Sequence, residues 1–189
     1  MSNSELKVTP SQTIGPFFRF GMDWIATEQL VEEGHPNAIV VHGVVYDGGG
    51  NPVPDAMIEV FQADENGKFP PECAGSWSGF ARRLTDDNGG YEIRTIKPGA
   101  VVAANGELQA PHIAVVVFAR GLLKPAFSRI YFSDEAEANS KDPLLNVIDD
   151  PKAKNTLIAV SESGGKYRFD VRLQDSDLGP ETQFIQFGV

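Results

Sequence analysis

Short runs of β-branched and aromatic residues, each stopped within a few positions by a glycine, proline or asparagine turn, fill the chain from residue 38 onward. Runs this short suit half-buried strands rather than amphipathic helices. Residues 38–46 lead into Asp47-Gly48-Gly49-Gly50, and 57–62 end at Asp64-Glu65-Asn66-Gly67. Residues 80–85 and 91–95 flank Asp86-Asp87-Asn88-Gly89-Gly90, a spacing that predicts a hairpin with a longer loop. Lys97-Pro98-Gly99 turns the chain, and 112–119, 128–132, 156–160 and 167–173 bring the predicted strands to about eight. Helix signals are few. One covers 134–139 behind Ser133 as N-cap, another 144–148 after Pro143.

This pattern predicts an all-β fold, an antiparallel β-sandwich, in one domain over residues 38–189. An N-terminal arm over residues 1–37 precedes it. There Ile14, Phe17, Phe18, Phe20, Met22, Trp24 and Ile25 follow no clean period. Those side chains need cover, from the arm's own domain or from a partner chain.

A chain of 189 residues buries roughly 70% of its unfolded surface, enough for a sizeable core. Its 16 Lys and Arg stand against 26 Asp and Glu, a net charge of −10. That balance argues against a nucleic-acid partner, which needs a basic face, but leaves room for a local basic pocket. The single cysteine, Cys73, can form neither an intrachain disulfide nor a thiolate cluster. The first seven residues lack a basic stretch followed by an apolar one, and no apolar run approaches membrane-spanning length. The expectation is a cytoplasmic protein with no membrane contact.

Histidines number three. His35 precedes Pro36 in a polar loop, His42 lies inside a strand, and His112 opens an apolar strand after Ala110-Pro111. No His-x-His or HExxH pair presents two imidazoles at ligand spacing. There is no phosphate-binding glycine loop and no nucleophile elbow. The residues taken alone therefore point to no catalytic group.

A resemblance goes further. Thr9-Pro10-Ser11-Gln12-Thr13-Ile14-Gly15-Pro16-Phe17 is similar to the start of the intradiol ring-cleavage dioxygenases. Val44-Val45-Tyr46-Asp47 with Asn51-Pro52-Val53-Pro54-Asp55-Ala56, Glu59 to Asp64 with Asn66-Gly67-Lys68-Phe69, and Leu84-Thr85-Asp86 through Gly90-Tyr91 to Lys97-Pro98-Gly99 also match. These middle segments are shared with transthyretin-like and carboxypeptidase-associated β-modules. More specific are Ala110-Pro111-His112-Ile113, Phe118-Ala119-Arg120-Gly121 and Ser128-Arg129-Ile130-Tyr131-Phe132, which resemble the α-type chain of the family's two-chain members.

Catalytic chains of that family hold ferric iron with two tyrosines and two histidines. Position by position, the resemblance puts Phe69, Val101, His112 and Ala114 at those four places, and Gln109 where the catalytic chains carry an arginine. It therefore implies no catalytic residue and no metal in this chain, with Fe(3+) in a partner β chain. The implied reaction is oxygen-dependent cleavage of protocatechuate, a small aromatic acid, to 3-carboxy-cis,cis-muconate at the partner's site. The resemblance also brings Thr13, Gly15, Pro16 and Arg129 towards that site as substrate-binding residues. A guanidinium suits a carboxylate because its planar fork donates two hydrogen bonds at once. Two other readings stay open: a metal-free β-sandwich binding module, and a single-chain metalloenzyme using His112 with carboxylates.

Overall fold

The structure is a computed structural model describing residues 12–22, 29–73 and 77–185. Trp24 and Ile25 of the expected arm lie outside the described residues. The arm's described part contains a short helix, α1 (Pro16–Met22).

Strand β1 (Ala38–Tyr46) buries every second residue, and Ile39, Val41 and Val45 enter the core. Gly43 interrupts that series because a Cβ there would come 1.9 Å from the carbonyl oxygen of Phe169. On one edge β1 pairs antiparallel with β4 (Gly90–Ile96). On the other it pairs in parallel with β10 (Lys166–Arg168) and β11 (Val171–Arg172). The sheet runs on from β10 through β9 (Ile158–Ser161), β8 (Ala126–Phe132), β7 (His112–Phe118) and β2 (Met57–Phe61) to β3 (Phe80–Leu84). A separate small ladder joins β5 (Val101–Val102) to β6 (Leu108–Gln109).

The fold is mostly β with a few short helices, but the sheet is mixed rather than antiparallel. Between β8 and β9 the chain passes through α2 (Ala136–Lys141), α3 (Pro143–Val147) and α4 (Pro151–Asn155). A crossover of that length lets β8 and β9 run parallel, which a tight turn could not. The hairpin expected over 80–95 does not form, since β3 pairs with β2 and β4 with β1. The Asp86 Oδ1 atom accepts from the backbone N–H groups of Asn88 and Gly90, both at 2.8 Å, and folds the loop on itself. That loop links the two ends of the sheet, leaving it nearly closed.

Two helix expectations also change. Helix α2 starts behind Glu135 without a side-chain cap, and the Ser133 hydroxyl instead accepts from the Ser161 N–H at 2.9 Å. Helix α3 has Asp142 as N-cap and Pro143 in its first turn, a favoured combination. Inside the curved sheet, Ile58, Val60, Ile113, Val115, Val117, Ile130 and Phe132 meet the β1 series. A smaller cluster of Ala110, Tyr131, Leu145 and Leu157 sits under the helices. No helix among the described residues is long and apolar enough to cross a membrane.

Candidate functional site

Residues directly opposite on neighbouring strands share a face of the sheet. The register pairs His112 with Tyr131, Ala114 with Arg129 and Val116 with Phe127. Across β2, Phe61 lies opposite Ala114. These side chains therefore stand together on the outer face, while Ile113, Val115 and Ile130 fill the core behind them. All of them but the fully buried Tyr131 floor a pocket of about 310 Å³, completed by Phe69, Gln109 and Ile185.

One glycine fixes the Phe69 wall. Gly67 has a positive φ of 75°, and a Cβ there would come 2.0 Å from the carbonyl oxygen of Ala100. The turn around it is tied by Asp64, whose Oδ1 accepts from the N–H groups of Asn66 and Lys68 at 2.9 Å. Gly99 N–H also donates to the Asp64 carbonyl at 2.9 Å. The loops carrying Phe69 and Val101 are thus held against each other. The Phe69 ring stacks on Phe61 with centroids 5.3 Å apart.

Polar groups form a directional chain along one side. The Arg129 guanidinium donates to the Tyr131 hydroxyl at 3.2 Å, and that hydroxyl donates to Asp142 Oδ1 at 3.0 Å. Fully buried Asp142 also accepts from the N–H groups of Leu144, Leu145 and Ala110 at 2.9–3.0 Å. Burial is the main reason the Tyr131 phenol is pushed up, so it stays a neutral donor. His112 Nδ1 lies 2.8 Å from the Ala110 carbonyl, which makes Nδ1 the protonated nitrogen. Burial, then the Arg129 charge, lowers its pKa to about 4, so the ring is neutral near pH 7.

Of the positions singled out in the sequence, Phe69, Gln109, His112, Ala114 and Arg129 meet at this pocket. Val101 is buried beside it, opposite Gln109 on the β5–β6 ladder. Phe69, Val101 and Ala114 offer only carbon. Among the described residues no three His, Cys, Asp or Glu side chains converge to hold a metal ion. These residues do not fit a ferric centre. His35 is exposed, and His42 pairs with Glu162 at 2.9 Å.

The Thr13–Pro16 loop lies elsewhere. Exposed Thr13 accepts from the Gly121 N–H at 3.1 Å, and Ile14 N–H donates to the Leu122 carbonyl at 2.9 Å. Pro16 opens α1, and a Cβ on Gly15 would meet nothing within 4 Å. The loop thus sits at the turn end of the β7–β8 hairpin, roughly 17 Å of strand from the Ala114–Arg129 pair. Within this chain the two groups do not meet. Sequence reasoning missed Phe61, Phe127, Tyr131, Asp142 and Ile185. Alternation along β8 carried the signal for two of them, since Phe127, Arg129 and Tyr131 are every second residue.

The profile of the family described as Dioxygenase matches residues 15–175. The protocatechuate 3,4-dioxygenase alpha chain of Pseudomonas putida is 40% identical, over 96% of this chain and 98% of its own length. The alpha chain of Burkholderia cepacia is 38% identical, over 95% and 98%. The protocatechuate 3,4-dioxygenase beta chain of the latter organism is 28% identical, over 90% of this chain and 77% of its own. Among solved structures, the dioxygenase domain of a carbohydrate-binding fusion protein from Streptomyces sp. SirexAA-E superposes with a TM-score of 0.62. It is 25% identical and covers 78% of this chain and 87% of that one. The chain therefore belongs to the dioxygenase family and, within it, is of the protocatechuate 3,4-dioxygenase alpha-chain type.

Proposed function

We propose that this chain is the metal-free subunit of a two-chain protocatechuate 3,4-dioxygenase, acting in the cytoplasm with an iron-bearing beta chain. One observation carries the reading: Phe69, Gln109, His112 and Ala114 meet at one pocket with Val101 beside it, and Phe69, Val101 and Ala114 put carbon at three of the four positions that the resemblance assigns to ligands. Similarity to both alpha and beta chains supports a partner of the same fold. Ferric iron on the partner would supply the chemistry that activates the aromatic ring towards oxygen. This chain binds and orients.

Thr13, Gly15, Pro16 and Arg129 are the groups we assign to the aromatic acid. The exposure of Thr13 and the open space beside Gly15 support the loop's part in this reading. Arg129 suits a carboxylate because no carboxylate pairs with it among the described residues. Purified alone, the chain should hold no stoichiometric iron, show no tyrosinate–ferric colour and turn over nothing. Co-expressed with a beta chain, it should copurify and consume oxygen with protocatechuate. One tightly held iron per isolated chain would refute the reading.

A further inference from the structure

We propose that Asn105 is a site of spontaneous covalent modification, where the side-chain amide is lost and aspartate or isoaspartate takes its place. The Gly106 backbone nitrogen bonds to Asn105 Cγ, the Cγ–Nδ2 bond breaks, and the Gly106 proton departs with that nitrogen as ammonia. Water then opens the resulting cyclic imide at either carbonyl, so one water is consumed for each ammonia released. A glycine favours the attack because no side chain shields its nitrogen.

Three Asn-Gly pairs compete for this chemistry: Asn66-Gly67, Asn88-Gly89 and Asn105-Gly106. They occupy the same place in three turns of one shape. The first residue's N–H donates to the carbonyl four positions on, Asp64 to Lys68 at 2.8 Å, Asp86 to Gly90 at 2.9 Å and Ala103 to Glu107 at 2.8 Å. Each glycine N–H donates back to the first residue's carbonyl, at 3.0, 2.9 and 2.8 Å respectively. The attacking nitrogen is therefore engaged in all three, and the turn must open before it can react.

What differs is the first residue. Asp64 and Asp86 each accept two backbone N–H groups, one of them from the asparagine itself. Ala103 has no such oxygen. In its turn the Glu107 N–H goes instead to the Asn105 carboxamide oxygen at 3.1 Å, where charge develops when Cγ is attacked. The surroundings differ too. Gly89 is buried, and a Cβ on it would come within 3.0 Å of Pro52, Val53 and Val45. Gly67 is wedged on the Ala100 carbonyl, whereas exposed Gly106 has nothing within 4 Å. Its turn caps only the two-residue strands β5 and β6, apart from the main sheet, so opening it breaks few contacts.

The product changes its surroundings. Asn105 Nδ2 now donates to the Glu107 carboxylate at 2.6 Å, and after modification a second carboxylate stands there. Isoaspartate also adds a carbon to the backbone of the turn. Both effects loosen the ladder in which Val101 and Gln109 are paired.

The test is to age the full isolated chain in mildly alkaline buffer and follow each Asn-Gly peptide by mass spectrometry, with enzymatic methylation of isoaspartate as a second readout. Asn105 should be modified at least about 10-fold faster than Asn66 or Asn88, the effect of lacking two charge-assisted hydrogen bonds. In urea-unfolded chain the three rates should draw together. Ala103→Asp, which restores the brace on an exposed turn, should slow Asn105 by about 10-fold with the melting temperature undiminished. Equal rates in the folded chain overturn the proposal. So does a lead for Asn105 that persists in urea, or a rate that Ala103→Asp leaves unchanged.

Discussion

The Tyr131 hydroxyl and the Asp142 carboxylate meet at 3.0 Å beneath the helices, both almost wholly removed from solvent. Asp142 gathers the start of α3, the end of β6 and the end of β8 onto one side chain. Tyr131→Phe removes one of its four donors and should cost about 1–3 kcal/mol. Asp142→Ala strips the cap and leaves several buried donors unpaired, so its cost should be larger, about 3 kcal/mol or more. Urea midpoints at unchanged slope are the readout. Full parental stability in Tyr131→Phe would show that the hydroxyl is expendable.

A second prediction concerns Lys97, whose ammonium reaches Asp134 and Glu135 at 2.8 Å and lies over the Phe132 and Tyr167 rings. Partial burial works against its charge, but the two carboxylates outweigh burial and raise its pKa. Burial likewise acts to raise Asp134, and the Lys97 and Tyr167 hydrogen bonds bring it below the ordinary value. The Lys97 contribution is therefore present below about pH 10 and is lost as pH rises through its raised pKa. The Asp134 contribution is present above about pH 4 and is lost as pH falls through its depressed pKa. Lys97→Met should cost about 1 kcal/mol at neutral pH. The gap from the parent should narrow in strong acid, as pH-dependent melting would show.

Gly67→Ala should be harmful out of proportion to its size. The added methyl meets the Ala100 carbonyl and must adopt a left-handed backbone. A loss of about 1–3 kcal/mol is expected, with the Phe69 and Val101 loops forced apart. Near-ultraviolet circular dichroism, sensitive to the Phe61–Phe69 stack, should change with it. A parental spectrum and melting curve would count against the tie between these loops.

The N-terminal helix tests partner binding. Phe18 stacks on Phe118 at 5.2 Å, and Arg19 donates to the carbonyls of Pro54 and Thr85. Phe17 and Phe20 are 85% and 71% exposed. One side of α1 thus docks at home while Phe17 and Phe20 face outward. Replacing Phe17 and Phe20 by Ser should leave the melting temperature of the isolated chain unchanged and weaken association with the beta chain by at least about 10-fold. An unchanged association constant would remove α1 from the interface.

Strand positions are legible in the sequence wherever alternation is clean, as in β1 and β7, because side-chain period is a local property. Partner choice is not local. Nothing in residues 80–95 reveals that β3 belongs with β2 and β4 with β1, or that three helical turns carry β8 into a parallel pair with β9. The same limit applies to the site. The family resemblance, carried over position by position, locates Phe69, Gln109, His112, Ala114 and Arg129, whereas nothing in it singles out Asp142. Ile185 reaches the pocket only because its N–H donates to the Phe127 carbonyl at 2.7 Å.

The double pairing of β1 has a consequence for how the chain acquires its shape. Strands β10 and β11 come from near the C-terminus, yet they complete the edge of the first strand. Closing so long a loop delays folding, since its entropy is lost before the contacts are gained. A ribosome must therefore release the chain as far as Arg172 before that edge is covered. Until then β1 is an apolar ribbon with unpaired backbone groups, open to capture by chaperones or by another nascent copy.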